Sequence, residues 1–286
     1  MTKPNKLSIS KLSDKQFKIA QEYLAEKYGL NLPDIKKTLL ESRLHKRTKA
    51  LGFPTTDHYI DFLFSFKKKT AAKEYCNFID LVTTHKTSFF REAHQFDFLI
   101  NTYLDQYLPK KGSNKLLKIW SAGCSTGEEV YSLAILLDKY RERNPAIDFQ
   151  LFGTDISIPS LKAATKGIYQ EPALVGLDKT IRESYFEKTA INGVMSYKFK
   201  RTDLKNKISF SSLNLNKKIY NIPFKFDFVF CRNVIIYFDI KTQKEVINRL
   251  SHTLKTDGIL FLGHSESAIG SNASIKSIFP TSYQKL

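Results

Sequence analysis

One segment constrains this chain more than any other: KIWSAGCSTGEEVYSLAILL, residues 118–137. An apolar, strand-like run ends at Gly123, a second glycine follows at Gly127, and a helical pattern begins at once. A strand that turns this tightly into a helix predicts a βα unit of a mostly parallel sheet. Glycines in the turn let the backbone approach a ligand closely, and the helix start offers unpaired N–H groups. The spacing is not GxGxxG, because Ser125 and Thr126 break it, which disfavours a nicotinamide dehydrogenase. Glu128 and Glu129 occupy the first helical turn, where a pyrophosphate would be repelled. A positively charged ligand without phosphates suits that mouth. The same two glutamates would equally compensate the helix dipole of a turn that binds nothing.

The rest of the chain beyond the polar cluster Lys110–Asn114 supports an α/β class. Strand-like runs at Leu116–Ser121, Phe149–Thr154, Phe226–Cys231 and Gly258–Gly263 alternate with helical stretches at 127–140 and 241–255. Helices are expected on both faces of the sheet. Residues 185–213 interrupt the alternation with short pieces and an Asn192-Gly193 turn, read as a small antiparallel β-insertion. Before the polar cluster the pattern is helical. Phe17, Ala20, Leu24 and Tyr28 share one face of 14–28, with Ser13 or Asp14 as N-cap. A helix over 34–51 begins after Pro33, turns Ile35, Leu39, Leu40 and Leu44 inward and stops at Gly52. Further helices run through Tyr59, Ile60, Phe62 and Leu63 and over 71–82. The division expected is a helical domain over 1–80, a linker over 81–115 and an α/β domain over 116–286.

Composition narrows the partners. With 286 residues, 42% hydrophobic and 26% charged, the chain is ordinary for a globular protein and long enough to bury a core. No apolar run approaches a membrane span, so no insertion is expected. The opening MTKPNKLSISKLSDKQ has no apolar core segment, so no secretory leader is expected. Three cysteines without a CxxC pair point to a reducing cytoplasm. His85 and His94 lack cysteine partners, and no metal site is expected. The net charge of +17 predicts an acidic partner: nucleic acid, membrane surface or acidic protein.

Three further positions carry chemistry. Asp155 ends the run FQLFGTDIS; a carboxylate there can accept both hydroxyls of a ribose, or can cap the next helix. In TSFFREAHQF, residues 87–96, Arg91 follows paired aromatics and is either a solvated side chain or a fork for a carboxylate. FDFVFCRNVIIYFD, residues 226–239, breaks from a buried strand into Arg232-Asn233, where parallel sheets bind ligands, with Tyr237 close behind. Asn233 there can pair with a base edge or with backbone, or simply cap a helix.

TSFFREAH, SAGCSTGEEVYSLA, FGTDIS, FCRNVIIYFD and LGHSES occur in the order found in CheR-type chemotaxis-receptor methyltransferases, and the chain resembles that family over nearly its whole length. The resemblance implies an all-α N-terminal domain followed by a class I, Rossmann-like methyltransferase domain holding a small antiparallel β-insertion. It implies methyl transfer from S-adenosylmethionine to glutamate side chains on the cytoplasmic signalling helices of chemotaxis receptors, leaving S-adenosylhomocysteine. By the same resemblance His85, Thr87, Arg91, Gly123, Glu128, Asp155, Asn214, Leu215, Arg232 and Asn233 belong to the cofactor site, and Arg91 and Tyr237 lie nearest the transferred methyl. The family usually has Asn where this chain has His85, and Pro where it has Val130. The insertion shows no glycine-rich turn of the kind that binds a receptor's C-terminal pentapeptide, so no such tether is expected.

The N-terminal domain of the family carries a basic receptor-recognition surface. Residues 34–51 hold six Lys and Arg against two acids, and Arg43, Lys46 and Arg47 are the expected contacts. A nucleic-acid methyltransferase is disfavoured: the (Asn/Asp)-Pro-Pro-aromatic and Pro-Cys motifs are absent, and Cys231 reads as a buried strand thiol. The remaining alternative is a non-catalytic cofactor-sensing or protein-binding module. The enzyme is expected to be a monomer.

Overall fold

The structure, a computed structural model, describes residues 12–64, 71–111, 115–271 and 273–286. The chain forms two compact units, one ending at Thr84 and one beginning at His85. The boundary therefore falls inside the stretch expected as a linker. Residues 85–111 belong to the second unit, because Phe96, Leu99, Tyr103 and Tyr107 are buried in its core.

In the first unit α1 (Asp14–Tyr28) is capped by the Ser13 hydroxyl, which accepts from the Gln16 N–H, and it ends at Gly29 in the left-handed region, φ 69°. A 3₁₀ turn, Asp34–Lys36, precedes α2 (Lys37–Ala50); α3 (Thr56–Phe64) and α4 (Ala71–Val82) follow. Leu40 and Leu44, four apart, face inward, but Ile35 is 90% and Leu39 47% exposed. The expectation that all four point inward fails for two reasons: the tighter 3₁₀ turn swings Ile35 off the helical face, and Leu39 lies one residue round from Leu40.

Two arginines of α2 fasten α4. Arg43 Nη1 donates to the carbonyls of Leu81, Val82 and Thr83 at 3.1, 2.8 and 3.1 Å, satisfying the C-terminal end of α4. Arg47 grips Glu74 in a fork, Nε at 2.8 Å and Nη2 at 2.6 Å, while the Tyr59 hydroxyl donates to the same carboxylate at 2.9 Å.

The second unit opens with α5 (Ala93–Phe98), a π-helical turn (Leu99–Tyr103) and α6 (Leu104–Lys111). It continues through β1 (Lys115–Ala122), α7 (Glu128–Arg143), β2 (Ile147–Asp155) and α8 (Ile158–Lys166). Then come β3 (Ile168–Gln170), α9 (Lys179–Tyr185), β4 (Phe186–Ile191), β5 (Val194–Phe199), α10 (Thr202–Lys205) and β6 (Ile208–Ser212). β7 (Phe226–Cys231), α11 (Ile240–Thr253), β8 (Leu254–Leu262), β9 (Ile275–Phe279) and β10 (Ser282–Lys285) complete it.

Among the described residues seven strands form one sheet in the order β6-β2-β1-β7-β8-β10-β9. The first five are parallel, and β10 runs antiparallel to both β8 and β9. This is a Rossmann-like sheet closed by an antiparallel hairpin. The chain order reverses between β1 and β7, which makes the carboxyl ends of those strands the expected crevice. β7 is buried along its whole length, with Phe230 stacked on Phe261 at 4.3 Å between ring centres.

The insertion is a separate antiparallel sheet, β3-β5-β4. Asn192 and Gly193 turn it with φ of 50° and 76°, the pair of positive angles a two-residue hairpin needs. Its extent differs from the expected 185–213. It recruits β3 from upstream, whereas residues 208–212 pair with β2 as the edge of the main sheet.

Candidate active site

The loop after β1 is shaped by its glycines. Gly123 has φ 89°, and a Cβ there would run into the side chain of Val234. The N–H groups of Gly123 and Cys124 both reach the Thr154 carbonyl, at 2.7 and 2.9 Å, tying this loop to the end of β2. Ser125, with φ 50°, aims its N–H at Asp155 Oδ2 (2.8 Å), and the Ser157 N–H takes Oδ1 (2.9 Å). Asp155 thus holds the loops after β1 and β2 while each oxygen keeps capacity for a further donor. The Leu213 N–H bonds the Asp155 carbonyl at 3.1 Å, which ties the segment leading to Asn214 to the end of β2. Leu215 is buried, its carbonyl held by the Tyr220 hydroxyl at 2.7 Å.

At the start of α7 Glu128 is buried, accepting from the Thr126 hydroxyl at 2.6 Å. Burial pushes its pKa up, against the Thr126 hydrogen bond. No cation pairs with it among the described residues. Glu129 accepts from Ser121 at 2.6 Å, and burial raises its pKa as well, against the nearby Arg232 charge.

Residues 85–92 lie against the same mouth. The His85 carbonyl accepts from the Ser125 hydroxyl (3.4 Å), its ring Nδ1 meets Ser160 Oγ (3.0 Å), and the Phe90 N–H bonds Ser132 Oγ (2.9 Å). Thr87 is half-buried in that segment. Arg91 is flanked by Phe90 and Glu92, both with positive φ (52° and 57°), a conformation that neither side chain favours. One guanidinium nitrogen of Arg91 donates to the Lys86 carbonyl at 2.9 Å.

Arg232, at the end of β7, is the centre of a buried network. Its guanidinium donates to the Arg91 carbonyl, lies 3.3 Å from Glu92 and 3.5 Å from Glu129, and covers the Phe96 ring at 5.0 Å. Burial alone would raise the Glu92 pKa; Arg232 and the Asn233 amide outweigh it and hold the carboxyl below its usual range. Asn233, with φ 57°, donates its amide to Glu92 at 3.1 Å, and Tyr237 follows, half-buried, on a 3₁₀ turn.

The positions named from sequence in the second unit therefore gather at the carboxyl ends of β1, β2, β6 and β7. Arg43, Lys46 and Arg47 lie in the other unit, and only Lys46 presents an exposed charge. Sequence reasoning missed Glu92 and Glu266 as members of the constellation, and it placed Glu129 at the mouth without its partner Arg232. Glu92 adjoins Arg91, and Glu266 sits in the motif LGHSES, but nothing in the sequence says which partner each carboxylate meets.

Residues 85–283 match the family described as CheR methyltransferase, SAM binding domain, and residues 15–83 match CheR methyltransferase, all-alpha domain. The chain belongs to the CheR methyltransferase family. A chemotaxis protein methyltransferase of Borreliella burgdorferi is 40% identical over 263 residues, covering 90% of this chain and 89% of the relative. Another from Escherichia coli is 36% identical over 258 residues, covering 90% and 85%. The activity is S-adenosylmethionine-dependent methylation in chemotaxis.

The residues of this CheR-family site fit that cofactor. Asp155 presents spare acceptor capacity for a ribose diol, and buried Glu128 gains from a nearby cationic group. Gly123 keeps the turn tight beside them.

Proposed function

We propose that this chain methylates glutamate side-chain carboxylates of chemotaxis receptors, forming glutamate methyl esters. The observation that carries this reading is Arg91: its backbone is pinned by Arg232 between two residues in strained conformations, and its guanidinium is held by the Lys86 carbonyl at 2.9 Å. A fixed guanidinium matches a carboxylate nucleophile.

When bound, S-adenosylmethionine supplies an electrophilic sulfonium methyl. The substrate glutamate, with a free pKa near ~4.3, is already ionised at neutral pH and needs no general base. Arg91 orients that carboxylate without pairing so tightly that its attack is blunted, and the Tyr237 ring narrows the mouth against water. Asp155, Asn214 and Leu215 hold the nucleoside half. Thr87, Glu128 and Asn233 line the amino-acid half, and Arg232 supports the loops from beneath.

Recognition falls to the outward face of α2 and the turn before it, where Ile35, Leu39, Lys46 and Lys49 are exposed. This face suits acidic receptor helices, with Lys46 and Lys49 rather than the internally bonded Arg43 and Arg47 as its charges. The enzyme works as a cytoplasmic monomer and requires no pentapeptide tether.

Incubation with methyl-labelled S-adenosylmethionine and a receptor signalling fragment should yield label released by mild base as methanol. Label that resists base, or that enters nucleic acid instead, would overturn the proposal.

A further inference from the structure

Glu266 is 5% exposed, and its carboxylate faces main-chain donors from two loops. Oε2 accepts from the N–H groups of Asn233 (2.8 Å) and Gly263 (2.6 Å); Oε1 accepts from Val234 (2.8 Å) and Ile236 (3.3 Å). The two loops are those after β7 and β8. Asn233 and Val234 have no other hydrogen-bond acceptor for these N–H groups among the described residues. A Cβ on Gly263 would lie 2.5 Å from Asn233 Nδ2 and 2.8 Å from Glu266 Oε2, so the two loops meet with no room between them.

We propose that Glu266 is a positioning residue for methyl transfer, fixing the loop that carries Asn233 and Tyr237 through the main chain rather than by touching any ligand. This rests on the reading of that loop as part of the transfer site. Asn233 stands at φ 57°, which costs energy for a side chain other than glycine, and its amide must reach Glu92 to complete the network around Arg232. Four N–H groups converging on one carboxylate hold that conformation in place, and a buried N–H left without an acceptor is costly. The pattern accepts no neutral substitute. An amide offers one acceptor oxygen and turns an NH₂ group toward two donors.

The test is Glu266→Gln in the full chain, read as a split of kinetic constants on a receptor signalling fragment. Turnover should fall by about tenfold to a hundredfold, because small misplacements of positioned groups cost that much. The apparent KM for the receptor should stay within about twofold, since the docking face of α2 is untouched. Turnover within twofold of the parent would overturn the proposal. An active parent with an unimpaired variant sinks this inference alone, whereas an inactive parent sinks the reading of the site. Amide exchange in the parent protein is independent of both. The N–H groups of Asn233, Val234 and Ile236 should exchange slowly although they lie outside regular strands. Fast exchange there would refute the role of Glu266 even if the variant failed to fold.

Discussion

At Asp155 a single carboxylate has two tasks. It accepts N–H bonds from Ser125 and Ser157, which fixes the crevice, and in the proposed reading its remaining acceptor capacity takes the ribose hydroxyls. Asp155→Asn removes the charge and turns one oxygen into a donor against an N–H. The expected loss is about 1–3 kcal/mol, or roughly fivefold to over a hundredfold in affinity for S-adenosylhomocysteine by titration calorimetry. Unchanged affinity would place the ribose elsewhere. Arg91→Ala should lower turnover by at least about tenfold while cofactor affinity changes far less; near-normal turnover would remove Arg91 from the chemistry. Asp155 and Gly123 were legible in the sequence because a strand end and a positive-φ turn are local events. Arg47 and Glu266 were not, since a charge in a sequence does not name the group it will meet 27 or 33 positions away.

Elements were legible where their pattern was complete. β7, with Phe226–Cys231 all apolar apart from Asp227, and the hairpin turned by Asn192-Gly193 read correctly from composition alone. β6 did not, because the alternation in ISFSS suits either sheet, and period two cannot say which strand it will pair with. Ile35 and Leu39 misled for the opposite reason. Apolar residues near a helix start suggest a core face, yet here they extend an exposed surface. That surface carries a prediction at the scale of the helix. Reversing Lys46 and Lys49 to Glu should raise the apparent KM for a receptor fragment several-fold, more strongly at low salt, with cofactor affinity intact. A KM indifferent to both charge and salt would move recognition off this face.

Across the whole molecule, each of the two units has its own electrostatic anchor. In the helical unit that anchor is Glu74, whose pKa burial would raise but which Arg47, Asn77 and Tyr59 together hold below the usual carboxylate range. A carboxyl with a lower pKa folded than unfolded adds stability above its unfolded value of about 4.3 and loses it as pH falls through the folded one. Glu74→Gln should therefore cost about 2 kcal/mol at neutral pH, with the gap from the parent closing as the pH drops below about 4.3. A gap independent of pH in denaturant titrations would assign the cost to packing instead. The methyltransferase unit supplies the cofactor crevice, and its proposed product is a glutamate ester. Tandem mass spectrometry of a receptor signalling fragment after incubation with enzyme and S-adenosylmethionine tests that claim most directly. A single added methyl on glutamate side chains is expected, appearing at least about tenfold more slowly with Arg91→Ala. Methyl groups on lysine, on a terminus or on no residue of a competent receptor would contradict it.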